Sequence, residues 1–239
     1  MWVKNLDGNW EKDVDILRYD HGWVEANAAQ STWFAPQDVD GLIELIGGKK
    51  AFVEKLNNTF ELAQKHDFTS AKSHDKGEQA ANRRKYLNYG NQPSMQTAYL
   101  FNYADAPHLT QYWSRQVIEK VYSGISPDYG YSGDEDQGLM GSLAVIMKMG
   151  LFSMRGGAAL EPTYDLGSPI FNKITIHLDE KYYPGNQFVI EAKNNSSENL
   201  YVKSAVLNGN ALNQPFFYHK DLVKGGKLVL EMDKTPSKN

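Results

Sequence analysis

The spacing of apolar residues along this chain changes once, near residue 160, and that change limits the folds that the chain can adopt. In the first part apolar residues recur at helical spacing, as at Trp113, Val117 and Val121. In the second part apolar and polar residues alternate, which is the period of a strand with one buried face. The sequence therefore predicts an α+β protein, with a helical region over residues 1–160 and a small antiparallel β module over residues 161–239.

Glycine pairs and apolar runs predict where individual helices lie. The apolar positions of residues 39–46 lead to Gly47-Gly48, a pair that commonly ends a helix. A second helix is predicted over residues 52–63, where apolar residues form one stripe. The segment 136–149 is apolar on nearly all sides, which is typical of a helix buried within an α-helical domain.

Turn sequences separate the strand-like runs of the second part. Asn208-Gly209 lies between two of these runs, and Asn-Gly is the strongest short signal for a two-residue hairpin. Alternating runs around residues 174–178, 188–192 and 228–232 are predicted to be strands.

Composition excludes several classes of site and partner. The 239 residues include no cysteine, so disulfide frameworks, zinc–thiolate sites and thiol nucleophiles are excluded. The net charge of -4 argues against nucleic acid as a partner, because phosphate binding needs a basic surface. No apolar run is long enough to cross a membrane, and the first residues lack the apolar region of a signal peptide.

Glu25 is the first candidate for chemistry. It follows Trp23 and Val24 and precedes Ala26, so it lies among aromatic and small residues. A carboxyl group in apolar surroundings is suited to act as a general acid near neutral pH. A surface glutamate in a loop explains the same pattern, since most glutamates are exposed.

The loop over residues 89–94 is the second candidate. The amide oxygens of Asn91 and Gln92, together with backbone oxygens, suit a hard cation such as calcium. The start of a helix accounts for the same residues, with Ser94 as the N-cap before the apolar run 98–103. From these residues alone both interpretations stay open.

The third candidate is a run of three acids, Asp134, Glu135 and Asp136, immediately before the apolar segment. A helix N-terminus favours negative charge, which explains one acid structurally but does not readily explain three. Two acids that face a cavity could bind a cation or activate a water molecule as a general base. Structural and catalytic roles therefore both stay open.

Taken in this order, the three segments resemble glycoside hydrolase family 92, the exo-acting α-mannosidases. The stretches that carry the resemblance are Trp33-Phe34-Ala35-Pro36-Gln37-Asp38-Val39, Gly90-Asn91-Gln92-Pro93-Ser94, Gly133-Asp134-Glu135-Asp136-Gln137-Gly138 and Leu166-Gly167-Ser168-Pro169-Ile170-Phe171. The resemblance covers almost all of the chain, which looks like the C-terminal part of a family member. It implies part of an (α/α)6-barrel for the helical region, and inverting, calcium-dependent hydrolysis of terminal α-mannosides.

The resemblance also implies roles for individual residues. Glu25 falls on the general acid of the family, Asp136 on its general base and Asp134 on an assisting acid. Asn91 and Gln92 fall on calcium-binding positions. Substrate contacts are implied for Trp23, Gln30, Trp33 and Gln137. An inverting mechanism requires the acid and the base to lie about 6.5–9.5 Å apart, which leaves room for a water molecule.

The chain departs from the family pattern close to these positions. A tryptophan and a tyrosine that are expected after the acid are Ala29 and Ser31, and an expected histidine pair is Met95-Gln96. The glutamate of the calcium loop is Gln92, which removes a negative charge and should weaken calcium binding. We therefore expect the acid and base to be retained while the recognition of mannose has drifted or been lost.

Three interpretations follow. The first is a divergent α-mannosidase-like hydrolase that is inactive or weak as this chain alone, because half of the barrel wall is absent. The second is a non-catalytic carbohydrate-binding or structural remnant of the family, and the third is an unrelated helical protein with a β module. A half-barrel leaves apolar helix faces uncovered, so a homodimer or a complex with a missing N-terminal half is expected. The resemblance also implies a periplasmic or secreted protein.

Overall fold

The computed structural model describes residues 2–69, 84–126, 130, 133 and 136–237. The chain divides into two compact units that alternate along the sequence. One unit comprises Met1–Thr97 and Val117–Ala144, and the other comprises Ala98–Gln116 and Val145–Asn239. The predicted division into residues 1–160 and 161–239 rests on the change of hydrophobic period near residue 160. That this change marks a domain boundary stays a prediction.

The first unit begins with irregular chain and continues into three helices. These are the single turn α1 (Ala28–Ser31), α2 (Val39–Ile46) and α3 (Lys49–Gln64). Asp38 caps α2, since its side chain accepts a hydrogen bond from the backbone N–H of Gly41 at 2.9 Å. Gly47 ends the same helix with a φ of 110°, a left-handed conformation that glycine adopts without strain. The glycine pair therefore ends α2 as the sequence predicted.

The loop after residue 84 leads into two short 3₁₀ helices, Gln92–Ser94 and Thr97–Ala104. Asn91, and not Ser94, is the N-cap of the first of them. The hydroxyl group of Ser94 instead accepts a hydrogen bond from the backbone N–H of Asn88 at 3.0 Å. The prediction of Ser94 as a helix cap is therefore wrong, because this side chain closes the preceding loop. The amphipathic helix expected next is α4 (Pro107–Val121).

The apolar segment that follows the acids forms α5 (Leu139–Lys148). Met140, Leu143 and Met147 are buried, whereas Val145 is 60% exposed. The prediction of a helix buried on all sides is wrong, because only the stripe at helical spacing is packed. The helix therefore has one covered and one uncovered apolar face.

The second unit contains two sheets. The three-stranded sheet has the order β1-β2-β7, and the five-stranded sheet has the order β3-β4-β8-β5-β6. The strands are β1 (Leu151–Phe152), β2 (Thr163–Leu166), β3 (Lys173–His177), β4 (Gln187–Lys193), β5 (Tyr201–Leu207), β6 (Asn210–Ala211), β7 (Phe216–Tyr218) and β8 (Gly226–Asp233), with a 3₁₀ turn at Gly156–Ala158 and a short helix α6 (His219–Val223).

Alternation places the apolar residues of the central strands in the core of the second unit. Phe188 and Ile190 on β4 are buried, as are Leu228 and Leu230 on the neighbouring β8. β5 and β6 form the predicted two-residue hairpin, with Asn208 and Gly209 at φ values of 49° and 85°.

The fold is thus a combination of helices and largely antiparallel sheets, as predicted. One pair departs from that pattern, because β4 and β8 run parallel. The helices of the described residues do not confirm the (α/α)6-barrel, which stays an implication of the resemblance. Within the same described part of the chain, no helix is both long and apolar enough to cross a membrane.

Candidate functional site

Glu25 lies in an irregular loop shortly before α1. Its backbone N–H donates to the side chain of Asp20 at 2.8 Å, and its φ is 55°. This left-handed conformation is uncommon for a residue with a long side chain, and such residues often occur at functional sites. The side chain of Glu25 is exposed, while Ala26 and Ala28 turn inward. The interpretation that Glu25 lies in apolar surroundings is therefore wrong for the described structure.

Asn91 joins the first candidate segment to the second. Its side-chain NH₂ group donates to the backbone oxygen of Glu25 at 3.0 Å. Its side-chain oxygen accepts from the backbone N–H of Gln92 at 2.9 Å, which caps the 3₁₀ helix. Both ends of this amide are therefore occupied, and the loop is held against the turn that carries Glu25.

Gln92 joins the second segment to the third. Its side-chain NH₂ group donates a hydrogen bond to the Oδ2 atom of Asp136. Asp136 and Gln137 are exposed, and both adopt left-handed backbone conformations, with φ values of 49° and 62°. Asp134, the predicted assisting acid, lies outside the described residues.

A second contact between these segments involves two glycines. A methyl group added to Gly133 would overlap the backbone oxygen of Gly90, closer than real side chains approach. The backbone at Gly133 therefore lies directly against that of Gly90. Only glycine permits this approach without a shift of the chain.

The residues predicted to contact substrate fall into two groups. Gln137 is exposed and Trp23 is half-buried, so both present surface to solvent. Gln30 and Trp33 are each 1% exposed. The indole of Trp33 packs edge-on against Phe52, with ring centres 5.7 Å apart. Their substrate contacts stay predictions, and the burial of Gln30 and Trp33 is explained by packing and hydrogen bonds within the protein.

Asn27 was not singled out by the sequence patterns, although it organises the turn after Glu25. It is completely buried, and its side chain accepts from the backbone N–H of Gln30 at 3.0 Å. The NH₂ groups of Asn27 and Gln30 both donate to the backbone oxygen of Lys85, at 3.0 and 3.1 Å. The spacing Asn-x-x-Gln, typical of a capped helix start, could have identified this pair.

The contacts of Asn91 and Gln92 do not favour a calcium site. No cluster of three or more acids or histidines suited to a metal occurs among them. Asn91 uses its amide oxygen to cap a helix, and Gln92 turns its NH₂ group toward Asp136. An NH₂ group donates hydrogen bonds and offers nothing to a cation, which binds oxygen atoms. The calcium predicted at Asn91 and Gln92 therefore stays a prediction that this arrangement does not favour.

Three solved structures that resemble the chain over 99% of its length are of family GH92 mannosidases. The chain is 27% identical to a family GH92 α-mannosidase from Bacteroides thetaiotaomicron, with a TM-score of 0.79, over 99% of this chain and 28% of the other. The complex of that mannosidase with mannoimidazole gives 26% identity and a TM-score of 0.81, over 99% and 30%. A family GH92 inverting mannosidase from Bacteroides thetaiotaomicron VPI-5482 is 31% identical, with a TM-score of 0.77, over 99% and 31%.

One curated protein from another organism is also similar to this chain. An uncharacterized secreted glycosidase of Arthroderma benhamiae is 27% identical over 215 residues, which are 89% of this chain and 24% of that protein. The chain therefore spans about a quarter to a third of the length of these relatives.

The family itself is identified by a match that extends over nearly the whole chain. The model of the glycosyl hydrolase family 92 catalytic domain matches residues 1–234. The α-mannosidase and the inverting mannosidase that resemble the chain are also family GH92 proteins. This chain is a member of glycosyl hydrolase family 92.

Proposed function

We propose that this chain supplies both carboxyl groups of an inverting α-mannosidase reaction, with Glu25 as the general acid and Asp136 as the general base. The observation that carries the proposal is the chain of hydrogen bonds from Glu25 through Asn91 and Gln92 to Asp136. It brings together three segments that are far apart in sequence. A purely structural acid at a helix start would not require this connection to Glu25.

The chemistry follows from the two carboxyl groups. Protonated Glu25 gives its proton to the glycosidic oxygen as the bond from that oxygen to the anomeric carbon breaks. Asp136 takes a proton from a water molecule, whose oxygen bonds to the anomeric carbon from the opposite face. The products are the free alcohol and a mannose of inverted configuration. Asp134 assists the base in this proposal, and no step passes through a metal ion.

The sugar would lie on exposed surface of the first unit. Glu25, Asp136 and Gln137 are exposed, so each can reach a ligand without movement of the core. We propose Gln137 and Trp23 as contacts to the terminal sugar, with Gln30 and Trp33 acting from behind the turn.

Protonation of the leaving group and activation of water each contribute about 10²–10⁴-fold to such reactions.

The remaining wall of the site would come from another polypeptide segment. Val24 and Leu45 of the first unit are 88% and 87% exposed, and Phe34 is 52% exposed. Exposed apolar residues of this size often mark a surface that another chain covers. We propose that another part of a family 92 enzyme, or a second copy of this chain, covers them. A secreted location is proposed on the name of the Arthroderma benhamiae relative alone.

A non-catalytic sugar-binding remnant is the second candidate. It is favoured by Ala29, which is 9% exposed where the family pattern has tryptophan, and by Gln92 in place of glutamate. In this case the surface around Glu25 and Asp136 would retain affinity for a mannoside without turnover.

Hydrolysis of an aryl α-mannoside distinguishes the two candidates. We expect little release of mannose from the chain alone, and clear release when it is co-expressed with the N-terminal part of a family 92 enzyme. Glu25→Gln and Asp136→Asn should each lower that rate by about 10²-fold or more. Binding of mannoimidazole without hydrolysis in any assembly would favour the remnant, and retention of the rate in either variant would remove that residue from its role.

A further inference from the structure

We infer that Gln92 is a positioning residue that holds the carboxylate of Asp136 by a direct hydrogen bond, without a cation between them. This inference rests on the proposed function, in which Asp136 is the base. The bond joins the side-chain NH₂ group of Gln92 to Oδ2 of Asp136. Among the described residues Gln92 is the hydrogen-bond partner of this carboxylate.

Asp136 needs such a partner because little else fixes its side chain. The residue is exposed and lies in a turn with two consecutive left-handed residues, Asp136 and Gln137. An exposed carboxylate without a partner samples several rotamers, and ordering it costs conformational entropy. A hydrogen bond to Oδ2 fixes the direction of the group and leaves Oδ1 to face a water molecule.

Gln92 is itself well placed for this role. Its backbone N–H is bound by the side chain of Asn91, and Pro93 follows in the same 3₁₀ helix. The backbone N–H of Asn91 donates to the oxygen of Asn88 at 3.0 Å, which closes the loop. The amide is therefore presented from a constrained loop, as a supporting side chain must be if it is to orient another group.

The glutamine at position 92, where the family pattern has glutamate, changes the charge at this contact. A glutamate at position 92 would place a carboxylate against that of Asp136, and two like charges at hydrogen-bond distance repel. A cation between the two carboxylates would relieve that repulsion. Glutamine is neutral and donates a hydrogen bond, so the contact with Asp136 is favourable by itself. Calcium is therefore not needed to hold these two side chains together.

Calcium binding by the purified chain tests this inference without any assay of activity. Isothermal titration with calcium chloride should show no binding to the wild type in the low millimolar range, and at least about tenfold tighter binding to Gln92→Glu. Gln37→Glu adds the same charge at an exposed position and should behave like the wild type. Calcium binding by the wild type as tight as by Gln92→Glu would overturn the inference.

A second measurement stands even if Gln92→Glu fails to fold. In nuclear magnetic resonance spectra of the wild type, the side-chain NH₂ of Gln92 should exchange with solvent more slowly than that of exposed Gln37. The protection should disappear in Asp136→Ala. Equal exchange of the two glutamines in the wild type would overturn the inference.

Kinetic measurements then distinguish a positioning role of Gln92 from a role in folding alone. In an active assembly, Gln92→Leu should lower kcat by about tenfold or more with little change in KM, since the base is misaligned while sugar contacts remain. An unchanged kcat would overturn the inference. If no assembly hydrolyses a mannoside, the proposed function fails by itself, and the calcium and exchange experiments still decide whether Gln92 holds Asp136.

Discussion

The side-chain NH₂ group of Asn91 donates a 3.0 Å hydrogen bond to the backbone oxygen of Glu25, a residue 66 positions earlier in the chain. The same side chain caps the helix that begins at Gln92. One residue therefore fixes the turn of the proposed acid and the loop that reaches the proposed base.

Asn91→Ala should destabilise the chain and loosen the turn at Glu25. The loss of a helix cap and of a hydrogen bond is expected to lower the free energy of unfolding by about 1–2 kcal/mol. Urea denaturation followed by circular dichroism measures this change. Asn58→Ala, at an exposed position of α3, is the matched control and should change stability by less than about 0.5 kcal/mol. Equal effects of the two variants would contradict the prediction.

Gly133→Ala should separate the backbone at position 133 from the loop at residues 89–94. The added methyl group would overlap the backbone oxygen of Gly90, so one of the two backbones must move. We expect a loss of about 1–3 kcal/mol in stability and a larger loss of any activity. Gly157→Ala meets no neighbouring atom within 4 Å and should be close to neutral. A stable and active Gly133→Ala variant would show that the two segments do not need this contact.

The stability of the chain should fall as the pH rises from about 4 to about 7, because of Asp165. This residue on β2 is 1% exposed, and burial raises the pKa of its carboxyl group from 3.8 to about 7. In that window the folded chain retains the proton while the unfolded chain has lost it. Each pKa unit of difference corresponds to about 1.4 kcal/mol, and this part of the stability is lost once the pH exceeds about 7.

Asp165→Asn should remove this part of the pH dependence. Its side-chain oxygen can still accept the hydrogen bond that the backbone N–H of Met154 donates to Asp165 at 3.2 Å. Thermal unfolding between pH 4 and pH 8 should give a flatter profile for this variant and a higher Tm than the wild type at pH 8. Asp179→Asn, at an exposed position of the same unit, should leave the profile unchanged. A wild-type profile that rises across this range would contradict the prediction.

Arg115→Lys should destabilise the second unit even though the charge is kept. The guanidinium group donates to the backbone oxygen and the hydroxyl group of Ser168 at 3.1 and 3.0 Å, and also to Pro169 and Asn195. A lysine ammonium group cannot reproduce this fork, so we expect a loss of about 2–3 kcal/mol. Chemical denaturation checks this, with Arg155→Lys at an exposed position as the control. Similar losses in both variants would argue against a special role for Arg115.

The helices and strands were predictable where local chemistry decides them. Asp38 and Gly47 bound α2, and the Asn208-Gly209 hairpin follows from the left-handed conformations that those residues tolerate. The parallel pairing of β4 with β8 was not predictable, because it depends on which strands meet in the sheet and not on the pattern within either one.

The candidate site was predictable as a set of segments, but the contacts within it were not. Sequence order related Glu25, Asn91 and Asp136 to a known family. That Gln92 faces Asp136 with its NH₂ group depends on the turn at Asp136 and Gln137. Aspartate tolerates the left-handed conformation of this turn, but glutamine has no preference for it. The burial of Gln30 and Trp33 was also missed, since a polar or aromatic residue in an irregular segment gives no period from which burial could be deduced.

The alternation of the two units along the chain has a consequence for how such a protein can evolve. Asn102 and Gln111 belong to the unit that contains the sheets, where they hydrogen-bond at 3.0 Å to Leu166 and Val202. A gene segment that encoded only residues 145–239 would leave these partners behind. Neither unit corresponds to one uninterrupted stretch of coding sequence, so a single recombination crossover cannot exchange either unit whole.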